Sequence, residues 1–172
     1  AIWRMFGRRT SQISCSSIAL RCATKGSGMA VGEIDIAARP RAIMEILADL
    51  PGAVEWSAAT SVDVLECHPD GRPAVASWNE SYGPIRDRFV LSYEWEGDSE
   101  VRWHLLEGRV LKKEDGRYRL ADAGCGYTSV KLELKLGIGV WVIPILRTRL
   151  ESMIVSGTLS ALKQRVESKP RS

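Results

Sequence analysis

The sequence contains no run of about 18 apolar residues, the length a membrane-spanning helix requires. Its longest apolar stretch, Ile138 to Leu146, is short and is broken by Gly139 and Pro144. Cysteine is scarce. Cys15, Cys22, Cys67 and Cys125 form no CxxC pair, which excludes a cysteine-built metal framework. Such thiols read as free and reduced, and a cytoplasmic location is expected. Only two histidines occur, His68 and His104, and neither has a Ser, Cys or Asp partner at a meaningful spacing. A nucleophilic triad is therefore unsupported. Cys67 and His68 are adjacent but lack further ligands for a tetrahedral site. Gly137 and Gly139 lack both the third glycine and the strand-to-helix context of a dinucleotide loop. No metal and no cofactor are expected.

Acidic residues are missing from one place. Arg4, Arg8, Arg9, Arg21 and Lys25 all precede Met29, with no Asp or Glu among them. They account for the formal charge of +3: without them 19 basic residues face 21 acidic ones. The body is near neutral, so a nucleic-acid partner is not expected. Residues 1–28 are rich in Arg and Ser and end in Lys-Gly-Ser-Gly, the composition of a transit peptide or of a start placed too far upstream. They are expected to form a disordered extension, followed by one domain over 29–168 and a tail at 169–172.

What is present is alternation. Ile34 and Ile36 mark a first strand, and Pro40 opens a short helix carrying Ala42, Ile43, Ile46 and Leu47. Pro51-Gly52 breaks it before a second short helix or turn with Val54, Glu55 and Trp56. Six two-faced strands then follow between Val62 and Leu136. The clearest carries Phe89, Leu91, Tyr93 and Trp95 on one face and Arg88, Ser92 and Glu94 on the other. Turns are expected at Asp70-Gly71, Gly83-Pro84, Glu96–Ser99, Asp115-Gly116 and Ala121–Gly126, and Gly108 is a candidate bulge. A long helix, roughly Pro144 to Glu167, closes the chain. Its stripe reads Ile145, Leu146, Leu150, Met153, Ile154, Gly157, Leu159, Ala161, Leu162 and Val166. A sheet with one apolar face must be covered, and this helix is the one element long enough to do it. The fold class is α+β, with about seven antiparallel strands in the order β, two short helices, six strands, long helix.

That order resembles the helix-grip fold of the START-like superfamily. The chain is similar to its polyketide cyclase/dehydrase and lipid-transport branch, often called SRPBCC. The segments that carry the likeness are Ile34 to Pro40, Ile46 to Trp56, Val62 to Glu66, Asp70 to Pro73, Tyr93 to Trp95, Val101 to Gly108 and the closing helix. It spans about residues 30–168. Coenzyme Q-binding START-type proteins are similar in pattern too. The resemblance implies a hydrophobic cavity between a concave sheet and the long helix. It further implies a small apolar ligand such as a lipid, quinone or polyketide.

Strand parity assigns residues to that cavity: Trp78, Glu80, Tyr82, Phe89, Leu91, Tyr93, Trp103, Leu105, Glu107 and Tyr118. Trp56 is placed at the mouth, and Leu146, Leu150, Met153 and Ile154 come from the helix. Six tryptophans offer broad faces for a flat or isoprenoid ligand, or else fill the core themselves. Glu80, Tyr82 and Glu107 are the candidates for proton transfer or polar anchoring. A buried carboxylate is costly unless paired and tends toward a raised pKa. The expected function is binding or transport of a small hydrophobic molecule. The alternative is a polyketide cyclase or dehydratase using these three residues.

Overall fold

The computed structural model describes residues 20–25, 29–82, 85–138 and 144–168, with side chains described for these apart from 22–25, 82, 85, 138 and 144–150. The elements run β1 (Arg21–Lys25), β2 (Met29–Ile36), α1 (Pro40–Ala48), a 3-10 turn (Pro51–Glu55), β3 (Ala59–Cys67), β4 (Pro73–Tyr82), β5 (Ile85–Glu96), β6 (Glu100–Gly108), β7 (Leu111–Gly124), β8 (Tyr127–Ile138) and α2 (Pro144–Ser168). All the strands join one antiparallel sheet in the order β1-β2-β8-β7-β6-β5-β4-β3.

The sheet has the seven expected strands and one more. The additional one, β1, lies inside the segment expected to be disordered. It pairs with β2 along its whole length, from Arg21 opposite Glu33 to Lys25 opposite Met29. A five-residue polar edge strand has no apolar alternation to read. Its role is to satisfy backbone groups that β2 would otherwise expose.

Asp115-Gly116 is not a turn. It lies in the middle of β7, where Gly116 pairs with Trp103 on one side and Leu134 on the other. A Cβ on Gly116 would lie 2.0 Å from the Trp103 ring, so this glycine makes room for an indole laid across it. Likewise, β7 continues through Ala121–Gly124, and the turn is confined to Cys125 and Gly126. The bulge falls near the place expected. Leu91 pairs with Leu105 and Val90 with Glu107, leaving Leu106 as the extra residue on β6. Leu106 is accordingly 59% exposed.

The outer face carries crossed ion pairs. Arg117 and Lys131 flank Glu133, while Arg102 and Arg119 flank Glu100. Burial works upward on Glu133 and Glu100, but these cations hold both carboxyls below their ordinary range.

Helix α1 starts at Pro40, where a missing N–H costs nothing, and buries Ile43, Met44, Ile46 and Leu47. In α2 the buried stripe is Glu151, Val155, Leu159, Leu162 and Val166. Leu159, Leu162 and Val166 belong to the expected stripe and Glu151 and Val155 do not, while Met153, 69% exposed, and Gly157, also exposed, lie on the side that lines the cavity. This docking follows from Gly32. A Cβ there would lie 2.5 Å from Val155 Cγ1 and 2.8 Å from Leu159 Cδ1, so the bare β2 backbone receives these two side chains. Truncating Leu159 to alanine would cost about 2–5 kcal/mol at such a fully buried site. The C-terminal half of α2 is also tied by polar contacts. Lys163 Nζ donates to Asp35 O at 2.6 Å, Ala37 N donates to Glu167 Oε1 at 3.0 Å, and Arg165 pairs with Glu55 at 2.7 Å. The helix thus rests on β1, β2 and β8 toward one edge of the sheet. The central strands are left with a space above them.

Candidate functional site: a cavity under the last helix

That space is a cavity of about 730 Å³ between the inner sheet face, the α1–turn segment and one side of α2. Its volume falls within the range of about 300–1,000 Å³ typical of small-molecule sites. The walls are chiefly apolar and aromatic. Trp78 and Phe89 sit opposite each other in the β4–β5 register and stack at 6.4 Å with ring planes 1° apart. Tyr93 and Trp95 stack at 6.0 Å, and Trp103 meets Tyr118 at 5.4 Å. Trp95 is further fixed by its Nε1, which donates to Pro73 O at 2.7 Å, and by Arg72 over its ring.

Of the residues assigned from parity, Trp56, Trp78, Glu80, Phe89, Leu91 and Tyr93 line the cavity, as do Trp103, Tyr118, Met153 and Ile154. Leu105 is partly buried and packs against the core without lining it. Glu107 does not face inward. The Leu106 bulge shifts the parity of β6, so Glu107 pairs with Val90 and is exposed. The side chains of Tyr82, Leu146 and Leu150 lie outside the described residues.

Two carboxylates on the cavity wall were not foreseen. Asp87 is buried, and its oxygens accept from Val110 N at 2.9 Å and Leu111 N at 2.8 Å. It secures the β6–β7 connection, a structural task. Glu114 is built differently. Gly116 allows the Trp103 indole to lie flat across β7, and Trp103 Nε1 then donates to Glu114 Oε1 at 2.7 Å. Burial is the main influence on Glu114. With the charges of Glu80, Asp115 and Asp87, it outweighs the Trp103 hydrogen bond and pushes the pKa from 4.5 up to about 7. A signal for this residue existed, because Glu114, Gly116, Tyr118 and Leu120 share one parity.

Two phenols and an indole N–H also stand on the wall. Burial, with Glu114 adding to it, raises the Tyr93 and Tyr118 phenols well above their ordinary 10.0. Trp78 Nε1 is buried with no partner at hydrogen-bonding geometry among the described residues, although the Tyr93 hydroxyl is near enough to feel it. Neither histidine contributes to the cavity. His68 Nε2 contacts Tyr93 O at 2.8 Å, and His104 lies exposed on the outer face beside Asp115. A wall of this kind can enclose an apolar molecule, orient one polar group at Glu114 and hold a proton there near neutral pH.

Solved structures share this architecture. A START superfamily protein from Mycobacterium smegmatis superposes with a TM-score of 0.76 at 19% identity, covering 81% of this chain and 97% of that one. The Zhui aromatase/cyclase from a Streptomyces species gives 0.69 at 14% identity, covering 84% and 96%. A STAR-related lipid transfer protein from Xanthomonas axonopodis gives 0.64 at 17% identity, covering 87% and 99%. No family model matches the sequence, and no curated protein matches it either. At these identities the likeness is one of fold, and the fold is the START-like helix grip.

Proposed function

We propose that this START-like chain binds or carries a small hydrophobic molecule, of lipid, quinone or polyketide type, in the cavity between the sheet and α2. The observation that carries the reading is the cavity of about 730 Å³ with its aromatic and aliphatic wall. Burying apolar ligand surface there contributes about 25 cal/mol per Å², with Glu114 and the two tyrosine hydroxyls available to orient it. The similarity in fold to a lipid transfer protein supports the same reading. A cytoplasmic setting fits the unpaired thiols of Cys67 and Cys125, and no described helix is long and apolar enough to cross a membrane.

Titration with the neutral apolar fluorophore phenylnaphthylamine tests the proposal. Saturable binding at one site per chain is expected. It should be lost in Gly157→Trp, because Gly157 lines the cavity and a Cβ there has nothing within 4 Å. An indole would occupy the space without disturbing the Val155–Val166 stripe. Absence of saturable binding to the wild type, or equal binding to the variant, would overturn the reading.

A second reading, a cyclase or dehydratase, has one observation in its favour: a carboxyl poised near neutrality inside the cavity. Glu114 takes the place there that Glu107 cannot fill. Single-turnover assays with aromatic polyketide precursors, comparing wild type with Glu114→Gln, would reveal it. Conversion that is slowed at least about hundredfold by the substitution would favour the enzyme.

A further inference from the structure

We infer that the cavity selects a lipophilic amine, an apolar molecule with a protonated nitrogen, over an acid or alcohol of the same shape. The inference rests on the binding reading above and names the ligand class for that site.

Three carboxylates, Glu80, Asp87 and Glu114, line the cavity, and no Lys, Arg or His lines it among the described residues. A free fatty acid or other anion would meet the buried Glu114 carboxyl in a low-dielectric space, with no cation among the described lining residues. An ammonium meets the reverse. The carboxyl of Glu114 is held by Trp103 Nε1 through one oxygen, and no second hydrogen bond to it is seen among the described residues. The Trp103, Tyr118 and Tyr93 rings lie around it, and cations are attracted to such ring faces. Asp87 is committed to the Val110 and Leu111 amides and Glu80 is engaged by a partner of its own, so Glu114 is the group assigned to the nitrogen.

Binding should depend on pH. Among the described residues, the groups facing Glu114 are Glu80 from β4, Asp87 and Tyr93 from β5, Trp103 from β6, and Asp115 and Tyr118 on its own strand. None of these supplies a positive charge. Glu114 is therefore protonated for much of the range below neutrality and becomes a carboxylate above it. An amine stays protonated throughout, with a pKa near 10. Its affinity should rise between about pH 6 and about pH 8, and that of an alcohol should not.

The test is calorimetric titration of three probes that share a ring and spacer: naphthylethylamine, naphthylethanol and naphthylpropionic acid. The expected result at about pH 8 is that the amine binds at least about tenfold more tightly than the acid, with the alcohol between them. The amine's advantage should shrink toward about pH 6, and shrink likewise in Glu114→Gln, whose fold is checked by near-ultraviolet circular dichroism. The wild-type pH series stands alone if that variant does not fold. An acid that binds as tightly as the amine overturns the inference and leaves the binding reading intact. An amine preference that ignores both pH and Glu114→Gln overturns the assignment to Glu114. Failure of all three probes overturns the binding reading itself.

Discussion

Glu114 is a cavity carboxyl pushed toward neutrality, and its titration is measurable as stability. Its pKa in the folded protein, about 7, stands above the ordinary 4.5. The folded state therefore holds this proton more tightly than the unfolded chain does. That contribution is fully present below about pH 4.5 and is lost as pH rises through about 7, amounting to at most about 3 kcal/mol. Glu114→Gln cannot titrate. Denaturant unfolding should show the wild type losing stability between about pH 5 and about pH 8, and the variant losing about 1–3 kcal/mol less. A gap between the two proteins that stays constant with pH would contradict a raised pKa. The residue scale is also where the sequence was hardest to read. Parity picked Glu80 correctly as a wall residue, but exchanged Glu107 for Glu114. Both errors came from local signals that long-range packing overrides. One extra residue at Leu106 inverted the end of β6. Asp115-Gly116 has the chemistry of a turn, yet it serves as a flat seat for Trp103.

At the scale of elements, two glycines set the position of α2 and of the cavity beneath it. Gly32 lets Val155 and Leu159 reach the β2 backbone. Gly32→Ala should push the helix outward and destabilise the protein by about 1–3 kcal/mol, read as a lower denaturant midpoint. No loss would mean that α2 does not dock there. Gly157 is the opposite case. It sits exposed within α2, with open space where a Cβ would stand. A glycine inside a helix costs about 0.5–1 kcal/mol relative to alanine. Gly157→Ala should therefore stabilise the protein by about that amount, while larger side chains should narrow the cavity and weaken phenylnaphthylamine binding in proportion to their volume. A destabilised Gly157→Ala would show that this turn of the helix is packed rather than open. The helix itself was legible from its periodicity, but the division of its apolar residues between docked stripe and cavity wall was not. Its apolar residues spread over both the docked stripe and the cavity wall, and only the shape of β2 decides which side is which.

For the whole molecule, the order of elements was legible because each strand from β3 to β8 alternates and the last helix is long. The START-like fold follows from that order and agrees with the solved structures of similar architecture. The first strand of the sheet, β1, was not legible, since a short polar edge carries no hydrophobic pattern. The volume of the cavity was not legible either, because it depends on how far α2 stands from the central strands. Whether this space holds an apolar molecule is decided by native mass spectrometry of the protein purified from its own host, followed by organic extraction. One hydrophobic molecule per chain, carrying a basic nitrogen, is expected to be retained by the wild type and absent from Gly157→Trp. A bare chain mass, together with no saturable uptake of phenylnaphthylamine, would contradict it.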